Sequence, residues 1–324
     1  MSRVVVTGAG GYVGSRLVPV LLEAGHEVVA TFTRPERAAQ QWWHERVDVV
    51  GMDVGDPDQV AAAVEGADAV VYLVHAMTDR DFVERDRVGA QHMAQACADA
   101  GVERIVYLSG LLPAGEDELS DHLASRLEVE QMLATTGVPT ITLRASMIIG
   151  GGSTSFEIVR QLSARLPVQL LPRWMDQDVQ PVAVTDVLEA LRAALEVPPV
   201  TRHYDLGGPE RLTYGELLRL YADVAGLVRL QLPLLPVPRA LLGVGASVLT
   251  DAPAPTVQAL FASLSHEMVC QDDDARHDLL RGHPPATLRE AMQRALDPQP
   301  ADMAPELLDP MGRLPADPDW TRRS

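Results

Sequence analysis

The sequence predicts an α/β chain built on a doubly wound parallel sheet. Three observations carry that prediction. The chain opens on a β-branched run, Val4-Val5-Val6, that feeds a turn with glycines at 8, 11 and 14. Short apolar runs then alternate with segments of helical length and period. The runs are continuous rather than alternating, as in Ala69-Val-Val-Tyr-Leu-Val74. Continuous runs suit parallel strands covered by helices on both faces.

The first unit is strand, glycine turn and helix. The helix, Ser15 to Ala24, carries Leu17, Val18, Leu21 and Leu22 on one face. This is a dinucleotide-binding corner. Gly8 permits the sharp turn, Gly11 lets backbone approach a pyrophosphate, and Gly14 lets helix pack close to strand. Tyr12, Val13 and Gly14 then place the helix N-terminus, with its unpaired N–H groups, at the phosphates.

The second strand spans 26 to 33. NAD-specific sites put an acidic residue at its end, about 20 residues after the glycine turn. Here the end is Thr33-Arg34-Pro35, with Arg37 one turn on. A guanidinium matches a 2′-phosphate, which predicts NADP(H) in preference to NAD(H). A third strand, 47 to 52, leads into Asp53-Val54. A helix over 57–66 and the fourth strand, 69 to 74, follow. The exit Leu73-Val74-His75 is expected beside the cofactor. A long helix, Phe82 to Ala100, precedes the strand 104–108 and then Ser109-Gly110. A further helix, 121–136, precedes the sixth strand, Thr140 to Arg144.

Net charge is -18, which disfavours nucleic acid and anionic membranes as partners. No uninterrupted apolar run reaches the roughly 18 residues of a membrane span. The two cysteines lie far apart without metal-ligand spacing, so no metal site is expected. With no signal peptide in view, they point to a reducing cytoplasm. Oligomeric state is not legible.

The turn spacing Thr7-Gly8-x-x-Gly11-x-x-Gly14 resembles the short-chain dehydrogenase/reductase superfamily, in its extended and atypical branches. Gly101-Val-Glu-Arg-Ile-Val-Tyr-Leu-Ser109 resembles the NmrA-like and complex-I-accessory-subunit-like reductases. Arg144-Ala-Ser-Met-Ile-Ile-Gly150, Gln180-Pro-Val-Ala-Val-Thr-Asp-Val187 and Tyr204-Asp-Leu-Gly-Gly-Pro209 resemble later landmarks of that family. The second of these implies a short strand and a helix capped by Thr185 or Asp186. The resemblance implies a Rossmann-type NAD(P)-binding domain over 1–206, with 151–180 contributing to a lid. It implies a smaller substrate lid over 207–297, entered by a capping box from Thr213 to Glu216. In relatives Asp53-Val54 lies beside the adenine. Residues 298–324, rich in Pro and Asp, read as a tail that packs loosely or not at all.

Most members of the superfamily use a Tyr-x-x-x-Lys pair with an upstream Ser. All 27 basic residues here are arginine, so that pair cannot exist. The matching position is His122-Leu-Ala-Ser-Arg126, whose i, i+4 spacing puts His122 and Arg126 on one helix face. A histidine near its ordinary pKa of about 6.5 serves as acid or base. Arg126 is placed to hold a ribose hydroxyl or the pyrophosphate, Ser109 to orient a substrate carbonyl, and Asp86 near a helix asparagine of the superfamily. The apolar stretch Leu230 to Pro238 suits a pocket for an apolar, quinone-like substrate. The reading is an NADP(H)-dependent oxidoreductase. The alternative is a non-catalytic redox sensor or assembly protein.

Overall fold

The computed structural model describes residues 1–75, 82–115, 119–234, 239–263, 266–300 and 302–322. The first half runs β1 (Arg3–Val6), α1 (Tyr12–Glu23), β2 (Glu27–Phe32), β3 (Asp48–Gly51), α2 (Pro57–Val64), β4 (Ala69–Tyr72), α3 (Phe82–Ala100), β5 (Arg104–Gly110), α4 (Asp121–Leu133) and β6 (Thr140–Ala145). There follow β7 (Ile148–Ile149), α5 (Thr154–Arg165), β8 (Val168–Pro172), β9 (Asp178–Val179), β10 (Val182–Ala183), α6 (Val184–Ala194), β11 (Arg202–Leu206) and β12 (Leu212–Thr213). The chain closes with α7 (Tyr214–Val224), β13 (Leu230–Leu234), α8 (Arg239–Leu249), α9 (Ala254–Ser263), α10 (Asp274–Asp278) and α11 (Leu288–Leu296).

Seven strands form one sheet in the order β11-β6-β5-β4-β1-β2-β3, and every pairing is parallel. This is a Rossmann-type doubly wound fold. The continuous apolar runs have a direct cause. Val4 and Val6 enter the core layer that holds Leu17, Val18 and Leu21 of α1, with Val187 and Leu191 of α6. Val5, between them, enters the opposite layer, with Val60 of α2 and Met93 and Cys97 of α3. Side chains alternate across a strand, so a strand buried on both faces needs apolar residues throughout. The order reverses between β1 and β4, where such folds bind ligands outside the carboxyl ends of the strands.

Two helix ends differ from expectation. The helix capped by Thr185 or Asp186 instead begins at Val184, and its N-cap, Ala183, carries no side-chain cap. Both residues lie inside the helix: Asp186 accepts from His283 Nε2 at 3.0 Å, and Thr185 Oγ1 lies 3.8 Å from Met311 Sδ. The helix predicted over 121–136 ends at Leu133, and Ser120 caps its start by accepting from Leu123 N–H. The capping box of Thr213 and Glu216 forms in full.

The C-terminal segment is the largest correction. Met311 and Thr321 are fully buried and Asp317 is nearly so. A Pro- and Asp-rich composition suggested loose packing because it offers few apolar anchors. Beside Met311, which enters the main core, the anchors here are ionic. Arg16 of α1 holds Asp317, and Glu157 of α5 holds Arg313. Gly151 N–H also donates to Met311 O at 2.7 Å. The segment is a strap across the body of the molecule. No helix among the described residues is long and apolar enough to cross a membrane.

Candidate functional site

The glycine turn has the geometry that its chemistry needs. Gly8 sits at φ 64°, the left-handed region that favours glycine. A Cβ at Gly14 would lie 2.4 Å from Gly8 O and 2.8 Å from Ala9 Cα, so helix and turn touch backbone to backbone. Gly11 is the N-cap of α1 and no side chain caps the helix, which leaves its first N–H groups for a ligand. Thr7 Oγ1 accepts from Leu73 N–H at 2.9 Å and donates to Val71 O at 3.3 Å, tying the turn to the exit of β4.

A cleft of about 990 Å³ runs along this corner. Its walls are Gly8 and Gly11, the exit of β2 with Thr33, Arg34 and Arg37, the pair Asp53-Val54, and Leu73-Val74-His75. Arg34 and Arg37 are exposed and make no ion pair among the described residues. Asp53 is turned partly on itself, its Oδ1 accepting from Gly55 N–H at 2.9 Å. Residues 315–319 and Arg322 of the strap complete the outer wall. Nothing in the strap's local sequence marks it as part of a dinucleotide site. The one available signal was the unusual Arg16, a cation one turn into α1 on a helix face that must be buried.

A second cavity, of about 500 Å³, shares Gly8, Gly11, Leu73 and His75 with the cleft. Tyr12, Val13 and Gly14, predicted to face the cofactor, line this cavity. Its polar groups include Ser109 at the end of β5, His122 and Arg126 on α4, and Ser153, Thr154 and Ser155 at the start of α5. Its apolar groups come from the lid elements, including Ile158 and Leu162 of α5, Leu217 of α7 and Phe261 of α9. Of the apolar stretch predicted over 230–238, residues 230–233 do not line it, and 235–238 lie outside the described residues.

The polar groups form two neighbouring part-buried clusters. His75 Nδ1 lies 2.5 Å from Asp86 Oδ2, and His75 Nε2 lies 3.3 Å from His122 Nδ1. Ser125 Oγ donates to the same Asp86 oxygen at 3.4 Å. Arg126 Nη1 donates to Tyr107 Oη at 3.3 Å and to Leu108 O at 3.2 Å. Its Nε is buried without a hydrogen-bond partner, and it has no carboxylate partner among the described residues. Ser109 Oγ is buried beside the Tyr107 hydroxyl and makes no hydrogen bond of good geometry.

The electrostatics correct one expectation. His122 was expected to titrate near 6.5. Burial, then the Arg126 cation and then His75 push it down to about 3. His75 was expected as a loop residue beside the cofactor. It is buried, and burial and Arg126 outweigh the attraction of Asp86, holding it at about 4. Both imidazoles are therefore neutral at neutral pH. Burial likewise raises the Tyr107 hydroxyl.

Residues 8–168 match the model of a family described as NAD(P)H-binding. The chain is thus similar to an NAD(P)H-binding family over just under half of its length. The chain is 32% identical over 214 residues to an uncharacterized protein of Mycobacterium tuberculosis, a match covering 65% of this chain and 22% of that protein. The chain thus spans about a fifth of the length of the first curated relatives it matches. It is 29% identical over 192 residues to 2-alkyl-3-oxoalkanoate reductase of Stenotrophomonas maltophilia, covering 50% of this chain and 55% of that one. Its fold matches triphenylmethane reductase of Citrobacter sp. complexed with NADP(H), with a TM-score of 0.72 and 20% identity, over 91% of this chain and 100% of that one.

Proposed function

We propose that the chain is an NADP(H)-preferring reductase of a small apolar carbonyl or quinone-like compound. The observation that carries this reading is the shared wall of the two cavities. A cleft with dinucleotide geometry and an apolar cavity meet at Gly8, Gly11, Leu73 and His75, beside Ser109, His122 and Arg126. The names of two relatives are consistent with it, since 2-alkyl-3-oxoalkanoate reductase and triphenylmethane reductase are both reductases.

The residues fit the dinucleotide. The turn has the required backbone approach, α1 offers uncapped N–H groups, and Arg34 and Arg37 stand at the end of β2 without carboxylate partners among the described residues. Arg34 reads the 2′-phosphate in this proposal. When bound in reduced form, the nicotinamide supplies a hydride. Ser109 Oγ donates a hydrogen bond to the substrate oxygen. Arg126, a cation without a carboxylate partner among the described residues, holds a ribose hydroxyl or the pyrophosphate and favours negative charge at the seam. His122 exchanges the proton.

One observation favours a second reading. The chain has no lysine, and both cavity histidines are held neutral. A non-catalytic NAD(P)H sensor or assembly protein needs neither. The experiment is calorimetric titration with NADPH and NADH, followed by a turnover panel of carbonyls and quinones. Turnover with NADPH binding tighter than NADH is the expected result. Binding without turnover selects the sensor.

A further inference from the structure

We infer that Asp86, His75 and His122 form a proton relay whose outer end is His122 Nε2, with His75 a proton-passing and positioning residue. The inference rests on the reductase reading for its use, but its geometry stands by itself.

The pairing of atoms fixes the protons. Asp86 Oδ2 lies 2.5 Å from His75 Nδ1, and a carboxylate only accepts, so His75 Nδ1 carries hydrogen. In neutral His75 the other nitrogen, Nε2, is then an acceptor. It faces His122 Nδ1 at 3.3 Å, so His122 Nδ1 carries hydrogen and donates. His122 Nε2 is left with a lone pair, with no hydrogen bond to the described residues, on a side chain that lines the apolar cavity. The resting chain therefore presents a proton acceptor to that cavity.

One added proton reverses the direction. His75 then donates from both nitrogens, from Nδ1 to Asp86 and from Nε2 to His122 Nδ1. The hydrogen of His122 Nδ1 passes to His75 Nε2, the added proton sits on His122 Nε2, and His122 presents a donor. Both states satisfy the same two contacts, so the switch needs no movement of chain. Asp86 on α3 favours the added charge, and Ser125 on α4 holds the carboxylate. Arg126 on α4 opposes it. Tyr107 on β5 and Tyr72 on β4 are kept protonated by burial and add no charge, and Arg85 of α3 lines the neighbouring cleft.

In the reductive direction the step balances as follows. The carbonyl carbon gains the hydride from the reduced dinucleotide, and its oxygen gains the proton of His122 Nε2, breaking N–H and forming O–H. His122 Nδ1 takes the Nε2 proton of His75. His75 is left neutral, its Nδ1 hydrogen still on Asp86, and one proton re-enters from water per turnover. In the oxidative direction the resting acceptor takes the alcohol proton directly.

The test is two-bond proton–nitrogen correlation NMR of the ¹⁵N-histidine-labelled full chain without dinucleotide. Imidazoles are assigned through bonds to the backbone, so the tautomers are read on the unsubstituted chain. Both His75 and His122 are expected as Nδ1–H tautomers at neutral pH. A His122 Nε2–H tautomer there overturns the relay. In Asp86→Asn the protonation midpoint of the pair should fall by about one to three pH units, because an opposite charge at this range shifts a pKa by that much. An unmoved midpoint reduces Asp86 to packing and overturns the relay. Turnover is read separately: Nδ1–H tautomers with a turnover-silent wild type support the relay and overturn the reductase reading alone.

Discussion

Arg16 and Asp317 stand 301 positions apart and form a buried ion pair, with N–O contacts of 2.8 and 2.7 Å. Their side chains are 0% and 2% exposed. Arg16 also donates to the carbonyls of Gly151, Gly312 and Pro310. A cation from the dinucleotide helix thus seats the strap that closes the dinucleotide cleft. Removing one partner of a buried pair strands the other charge, at about 3–5 kcal/mol. Asp317→Ala should lower the free energy of unfolding by that amount in urea titrations. A loss below about 1 kcal/mol would mean that the strap detaches without strain on Arg16.

The glycine turn separates fold from ligand. At Gly14 a methyl would overlap the backbone of residues 8 and 9. Gly14→Ala should therefore destabilise the chain by about 1–3 kcal/mol, the usual cost of overpacking. At Gly11 a Cβ meets only Gly8 O, at 3.1 Å, and the residue has ordinary extended backbone. Gly11→Val should stay folded and lose dinucleotide binding, because its side chain fills the place of the pyrophosphate. Calorimetry on folded Gly11→Val that still shows binding would remove the turn from the site.

Cofactor preference rests on Arg34. Its guanidinium lines the cleft, is exposed and has no carboxylate partner among the described residues. A charge-assisted bond to a 2′-phosphate is worth about 1.5–3 kcal/mol. Arg34→Ala should weaken NADPH by that amount and leave NADH nearly unchanged. Equal losses for both dinucleotides would show that Arg34 holds something common to them.

The sheet and the glycine turn were legible because their causes are local. Val4, Val5 and Val6 had to serve two core layers, so the run itself announced a doubly covered strand. The placement of His122 and Arg126 on one cavity followed from their i, i+4 spacing alone. Their chemistry did not. The lowered pKa of His122 depends on burial, on Arg126 and on His75, which lies 47 positions away and comes close only when β4 and α4 flank β5. The strap was invisible for a similar reason. Asp317 is one of 45 acidic residues, and its value lies in a partner near the other end of the chain. Thr185 and Asp186 misled because both residue types cap helices well, while the sequence does not show His283 waiting for Asp186.

Catalysis turns on His122. Loss of a general acid costs roughly 10²- to 10⁴-fold in rate. His122→Phe should lose that much while keeping NADPH affinity, because its proposed role is proton exchange with the substrate and not a contact to the dinucleotide. Arg126→Ala should weaken dinucleotide binding as well, since its proposed partner is a ribose hydroxyl or the pyrophosphate. The pH dependence has a definite sign. The donor is the protonated form, and the folded values, about 3 for His122 and about 4 for His75, lie below the ordinary 6.5. Reductive rate should therefore rise as pH falls from 6.5 toward 4. Folding stability moves the other way. The unfolded chain takes up protons that the buried pair refuses, so stability present above 6.5 is lost across the same window. Rate and stability measured against pH on one preparation should cross in opposite senses. His122→Phe should soften the acid loss of stability. Stoichiometric NADPH binding with no turnover across a broad carbonyl and quinone panel would sink the enzyme reading. An active His122→Phe protein would keep the enzyme and remove His122 from it, leaving Ser109 as the donor to test next.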